Sequence, residues 1–237
     1  MKMDRLDKIL VSQGIGSRRD VQKLIRQKAV AIDGETVTKP DFKLDPEQHE
    51  IRVNGQALAF QKHIYIMMNK PKGVVCATQD NLSKTVLDIV PESLRRKGLA
   101  PAGRLDKDTV GLLILTDDGD FAHRIISPKK HVYKRYYAEL DKAVTDEAVR
   151  MFENGIELSD GTVCLPARLK IVGENSACVE ICEGKFHQVK RMFSACGLSV
   201  LYLKRLSIGG LELDNALAEG ECREMTKDEK STLFIGK

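Results

Sequence analysis

Apolar residues recur at helical spacing at the start of the chain. Leu6, Ile9, Leu10 and Gln13 mark one face of a helix over residues 5–13, which Gly14-Ile15-Gly16 ends. Ser17, with Asp20 three positions on, reads as the N-cap of a second helix running to Ala29. At about 100° per residue, Val21, Leu24 and Ile25 share one arc of that helix, and Arg19, Lys23 and Arg26 fall on the opposite one. Short strand-like runs at 30–32 and 36–38 flank Asp33-Gly34, a hairpin signal, and another at 49–53 enters the turn Asn54-Gly55. The polar connector 56–63 places a domain boundary near Phe60, dividing the chain into 1–60 and 61–237. Beyond it, strand-like stretches (64–68, 74–77, 112–116, 134–140, 168–172, 177–182) are mixed with helical ones (84–97, 119–126, 145–154, 186–196). They lack the regular alternation and long apolar strands of a parallel doubly wound fold, so a mixed antiparallel α+β architecture is expected.

Composition narrows the class. The 237 residues, at about 150 per domain, correspond to about 1.6 domains, and 42% hydrophobic with 30% charged residues suffices for a real core. No Trp, seven Phe and five Tyr argue against a carbohydrate-binding or broadly stacking surface. The longest apolar run, Ile64 to Met68, falls far short of the roughly 20 residues of a membrane helix. No apolar region follows the N-terminal Met1-Lys2-Met3-Asp4-Arg5, so no secretory signal is expected. The six cysteines form no C-x-x-C pair and read as reduced thiols of a cytosolic protein, without a zinc site. Net charge is only +4, but residues 1–30 hold eight Lys/Arg against three Asp, whereas residues 31–60 hold three against six. A basic helical face before a small hairpin suits a phosphate-contacting surface, or a merely solvated helix.

Four features of the second segment bear on chemistry. In Asn69-Lys70-Pro71-Lys72-Gly73, a turn fixed by Pro71 and Gly73 follows a strand, and Lys70 and Lys72 either meet phosphate or decorate a plain turn. In Gly103-Arg104-Leu105-Asp106-Lys107-Asp108-Thr109-Val110-Gly111, a calcium loop fails at Val110, Ile114 and Asp117, and no nucleotide-binding glycine loop fits. What remains is a carboxylate on a tight loop beside Arg104, either catalytic or part of a structural salt bridge. Residues 121–138 contain no acid and hold Arg124, Lys129, Lys130, Lys134 and Arg135, ending in Tyr136-Tyr137. Cations interleaved with Tyr suit backbone neutralisation and base stacking, and the two tyrosines of a strand must point to opposite faces. From Lys185 to Arg205 there are five basic residues and no acid. His187 reads as a general base or a structural hydrogen-bonder, and Lys190 and Arg191 cannot both join the apolar face of Val189, Met192 and Phe193.

Two resemblances gather these motifs. Arg5-Leu6-Asp7-Lys8, Ser17-Arg18-Arg19 and Ala29-Val30-Ala31-Ile32-Asp33-Gly34, with Ala29 where Gly is frequent, resemble the alpha-L RNA-binding module of ribosomal protein S-four. That implies structured RNA as partner, met by Arg18, Arg19, Lys23 and Arg26. Gly103-Arg104-Leu105-Asp106 resembles the signature of the RsuA-type pseudouridine synthases. Asn69-Lys70-Pro71-x-Gly73, Lys134-x-Tyr136 and the block from Gly184 through His187-Gln188-Val189-Lys190-Arg191-Met192-Phe193 match that family in order. The resemblance implies a catalytic domain on a mixed, mainly antiparallel sheet behind the small module. It also implies conversion of uridine to pseudouridine in ribosomal RNA, an isomerisation without cofactor or metal. By position, Asp106 matches the catalytic Asp, and Tyr136 the residue that stacks on the base and assists proton transfer at C5. Lys190 matches the cation paired with the Asp, with Arg191 as its alternative. Lys70, Arg104, Lys134, His187, Gln188 and Arg191 are expected to bind the RNA. The His187-Gln188 pair points to one uridine of 16S rRNA in a pre-ribosomal particle; the alternatives are a 23S site and a non-catalytic assembly factor that binds rRNA. A cytoplasmic monomer away from membranes is expected.

Overall fold

The computed structural model describes residues 3–234, and the chain divides into two compact units. The first runs to Ile64 and includes Arg95–Gly98; the second comprises Tyr65–Leu94 and the chain from Leu99 onward.

In the first unit, β1 (Asp4–Arg5) leads into α1 (Leu6–Ser12), and α2 (Arg18–Arg26) follows after a glycine turn. Ser17 accepts the Asp20 N–H while the Asp20 carboxylate accepts the Ser17 N–H, a capping box that fixes where α2 begins. Leu6, Ile9 and Leu10 pack with Val21 and Ile25 over Val30, Ile32, Leu44 and Ile51. The strands β2 (Val30–Ile32) and β3 (Glu35–Thr36) form the hairpin, which is shorter than its residue pattern suggests. After β4 (Lys43–Leu44), which pairs with β1, come β5 (Ile51–Val53) and β6 (Gln56–Ala57), giving a sheet ordered β3-β2-β5-β6. Asp7 is buried among these apolar residues. Burial alone would raise its pKa, but hydrogen bonds from Arg5 and Gln22 and the nearby Arg18 charge bring it down to about 2.

The second unit is built on β7 (Tyr65–Lys70), β8 (Ala100–Pro101) and β9 (Val110–Thr116), then α3 (Gly119–Ile126), β10 (Lys134–Leu140) and α4 (Asp146–Asn154). There follow β11 (Arg168–Gly173), β12 (Ser176–Ile181), α5 (Gln188–Ala195), β13 (Val200–Ile208), β14 (Leu211–Glu212), β15 (Cys222–Glu224) and α6 (Lys227–Thr232). Among the described residues they form a nine-stranded sheet, ordered β11-β12-β10-β13-β9-β7-β15, with β14 added on β13 and β8 on β9. Its pairings are antiparallel except that of β13 with β9. The domain is thus α+β on a mixed, mainly antiparallel sheet, with Met67, Leu112, Ile114, Phe121, Ile125 and Ile208 in its core.

Two expected elements are replaced. Residues 84–97 are not a helix but hold two single turns, Leu87–Ile89 and Glu92–Leu94. Pro91 cannot donate within a helix, and the Asp88 carboxylate takes the Thr85 N–H at 2.7 Å, offering the backbone a local alternative. The strand expected at 74–77 reduces to a single bridge between Val75 and Thr85. Conversely, β13 lies in the middle of the sheet without a strand having been expected there.

Candidate active site

The site begins where β13 and β9 run parallel, with Arg205 opposite Gly111. Gly111 has φ +100°, and a Cβ there would lie 2.3 Å from the Arg205 carbonyl oxygen. Only glycine admits this approach, which brings the loop 103–109 beside β13. Lys70, at the end of β7, holds the same loop. It is fully buried, and its ammonium lies 2.8–3.4 Å from the carbonyl oxygens of Pro71, Asp106, Lys107 and Thr109. Lys70 therefore cannot meet a phosphate as expected; it is an internal clamp that closes the turn bearing Asp106. Burial lowers its pKa, while the nearby acidic groups act in the other direction.

The Asp106 side chain is 26% exposed, with Oδ2 3.6 Å from the Lys190 ammonium and Oδ1 3.6 Å from His187 Nε2. Lys190 also pairs with Asp108, whose carboxyl is held below its usual range by that hydrogen bond. Arg191 is paired elsewhere: its Nη2 lies 2.6 Å from Asp160. Of the two neighbours, Lys190 is thus the cation beside Asp106. Arg104, expected to hold the carboxylate, is instead an exposed residue of the cleft lining and is not among Asp106's partners.

Lys190 and His187 are placed by the start of α5. His187 caps that helix in the left-handed region, at φ +46°, and the turn before it is braced by Glu183. Glu183 accepts from Leu165 N and Gln188 Nε2, each at 2.8 Å, and pairs with Lys185. Gln188 is 4% exposed and spends its amide on Glu183 and the Lys185 N–H, so it is a brace of this loop and not a surface RNA contact.

Tyr136, on β10, lines the same cleft of about 670 Å³ as Asp106, Arg104, Lys134 and Arg205. Tyr137 faces the opposite side of the sheet and packs on Tyr202. Arg205, which the sequence pattern did not single out, is 2% exposed and donates from Nε to the Leu112 carbonyl at 2.7 Å and from Nη1 to the Tyr136 hydroxyl at 3.4 Å. The buried Lys134 donates to the Val132 carbonyl at 3.0 Å. Its pKa falls to about 8, first through burial and then through the Arg205 charge. A carboxylate flanked by two basic side chains can attack or deprotonate an electrophilic sugar, and a phenol beside a guanidinium can pass a proton. In the first unit, Arg18, Arg19, Lys23 and Arg26 are exposed along α2, with Arg18 Nε 3.5 Å from Asp7.

Comparison with known proteins shows what the chain is similar to. The family model described as RNA pseudouridylate synthase matches residues 64–195, and an S4 domain model matches residues 4–51. An uncharacterized RNA pseudouridine synthase of Bacillus subtilis, YtzG, is 45% identical, with 95% of this chain and 96% of that protein aligned. The ribosomal small subunit pseudouridine synthase A of Escherichia coli K12 is 43% identical over 95% and 97% of the two chains. A crystal structure of a pseudouridylate synthase superposes with a TM-score of 0.69 at 39% identity, covering 97% of this chain and 99% of that one. No described helix is long and apolar enough to cross a membrane.

Proposed function

From the premise that the chain belongs to the RNA pseudouridylate synthase family, an isomerase acting on RNA, we propose that it converts one uridine of 16S rRNA to pseudouridine. The substrate is a pre-ribosomal particle in the cytoplasm, and the enzyme acts as a monomer. Residues 1–60 dock structured RNA through Arg18, Arg19, Lys23 and Arg26, and residues 61–237 carry out the chemistry. One observation carries the reading: the Asp106 carboxylate, 3.6 Å from both Lys190 and His187, shares a cleft with Tyr136. The choice of the small subunit is supported by the name of the E. coli relative.

The reaction breaks the N1–C1′ bond, rotates the base and joins C5 to C1′. The proton on C5 is lost and N1 gains one, so atoms and electrons balance within the nucleotide and solvent. The target base must first leave its stack, at a cost of a few kcal/mol. Asp106 acts at the sugar, as nucleophile at C1′ or as base at C2′. Lys190, 3.6 Å from Oδ2, is the cation that faces it in the cleft. Tyr136 stacks on the detached base and serves the proton transfer at C5, with Arg205 holding its hydroxyl.

The test is tritium release from ribosomal RNA labelled at uridine C5. Asp106→Asn should lower release by about 10²–10⁴-fold or more while RNA binding persists; equal release by both proteins rejects the assignment. Mapping pseudouridines in cells lacking the protein should show one missing from 16S rRNA, and a loss from 23S rRNA instead would reject the site choice.

A further inference from the structure

One aromatic side chain of the cleft lining is largely open to solvent. Phe186 lines the cleft and is 69% exposed. A single exposed apolar residue needs no explanation by itself. Phe186 differs through its neighbours. Its ring lies flat on the His187 imidazole, with centroids 3.9 Å apart and planes 16° from parallel. The other side of that imidazole's reach is Asp106, 3.6 Å from Nε2. One imidazole therefore links an open aromatic face to the carboxylate of the reaction.

The turn that carries the platform is braced. The left-handed backbone of His187 is an uncommon conformation for a residue with a side chain, and the Glu183 brace on Leu165, Lys185 and Gln188 fixes the turn before it. The cations that follow the ring, Lys185, Lys190 and Arg191, are paired with Glu183, with Asp106 and Asp108, and with Asp160, so the open aromatic face and not a surplus of charge is what the site offers a nucleotide. An exposed aromatic face is what a nucleobase uses as a stacking surface, whatever its sequence.

We propose that Phe186 and His187 together form a stacking platform for the base of the nucleotide adjacent to the target uridine. The inference rests on the proposed function, since it takes the target ribose to lie at Asp106. When the target base is extruded, its neighbour loses a stacking partner, and the Phe186 face replaces it. Phe186 thus helps to keep the strand open without touching the reacting atoms.

The experiment uses the full chain and a short RNA carrying the uridine identified by the mapping above. Two further RNAs lack the base on the 5′ or the 3′ side of that uridine. Phe186→Ala should weaken binding of the intact RNA by about 5- to 150-fold, the range for a lost base–aromatic stack, and Phe186→Tyr should restore it. With one of the two abasic RNAs, wild type and Phe186→Ala should bind equally. A change under twofold for the intact RNA, or a loss of the same size on all three RNAs, overturns the platform. Tritium release by the wild-type protein is measured alongside. Absence of release there counts against the proposed function, whereas release with an unaffected Phe186→Ala counts against the platform alone.

Discussion

Lys134→Met isolates what a buried cation costs the fold and gives the cleft. Lys134 is 8% exposed and its ammonium donates to one carbonyl, that of Val132. Burial and the Arg205 charge carry its pKa from 10.5 to about 8, opposed by the Cys182 thiol. At 1.36 kcal/mol per pH unit, this displacement amounts to about 3 kcal/mol. The folded state binds the proton more weakly than the unfolded chain. The unfolded chain therefore holds the extra proton between pH 8 and 10.5, and this group's contribution to stability rises with pH across that window. Below pH 8 the cost is present in full; above 10.5 it is gone. Denaturant unfolding of wild type and Lys134→Met from pH 7 to 10.5 reads the effect, because titrations shared by both proteins cancel in the difference. The stability advantage of the variant should shrink by up to about 3 kcal/mol as pH rises, with onset near 8. Carbon NMR of labelled lysine should show one residue titrating near that value. RNA affinity should move the other way, weakening in the wild type through pH 8 and remaining low at all pH values in the variant. A difference in stability that is flat with pH, or a Lys134 titration at 10 or above, refutes the reasoning.

Other perturbations test the remaining parts. Gly111→Ala forces a methyl group against the Arg205 backbone at a positive φ, and thermal unfolding should show a loss of at least about 1–3 kcal/mol. Asp7, held at about 2 against 3.8, contributes about 2 kcal/mol that is present above pH 3.8 and lost as pH falls through 2. The difference in unfolding free energy between wild type and Asp7→Asn should shrink accordingly between pH 5 and 2. RNA affinity should fall steeply with salt, and neutralising Arg19 or Lys23 should each reduce the slope of log K against log salt by about one. A slope unchanged by either substitution would remove those residues from the RNA contact surface.

Much of the fold was legible because the deciding signals are local. The capping pair Ser17 and Asp20, the Asp33-Gly34 turn and the alternating run 134–140 each act within a few residues, and each appears where the pattern places it. The misses at β13 and Lys70 share a cause in buried polar groups that do not follow the alternation of apolar positions. In β13 the alternating buried positions are Leu203, Arg205 and Ser207, so two of the three in a central strand are polar. Arg205 is tolerated there because Leu112 and Tyr136, distant in sequence, accept its hydrogen bonds. Lys70 was misread for the same reason: the four carbonyls that surround it come from a turn folded back from residues 106–109 and from Pro71. Of the candidate site, Asp106, Tyr136 and Lys190 could be named from motif order. The assignment of Lys190 and not Arg191 to Asp106 needed the turn of α5, which gives Arg191 to Asp160.

The three buried cations among the described residues, Lys70, Lys134 and Arg205, differ in how completely they are satisfied, and that order separates support from function. Lys70 is enclosed by carbonyl oxygens, and a cation so well supplied has no remaining valence for a substrate. Arg205 has partners for Nε and Nη1, while Nη2 is buried without one. Lys134 has one carbonyl for three N–H donors and a pKa pushed down to about 8. An under-satisfied buried charge destabilises a fold unless something else uses it, and burial alone would favour replacing it by an apolar residue of similar size. Both under-satisfied cations line the cleft that contains Asp106, and the well-satisfied one lies beneath its loop. The fold thus carries a standing electrostatic cost on the cleft wall that an incoming polyanion can relieve. On that account the substrate is part of what stabilises the site, and RNA binding should raise the Lys134 pKa back toward its ordinary value.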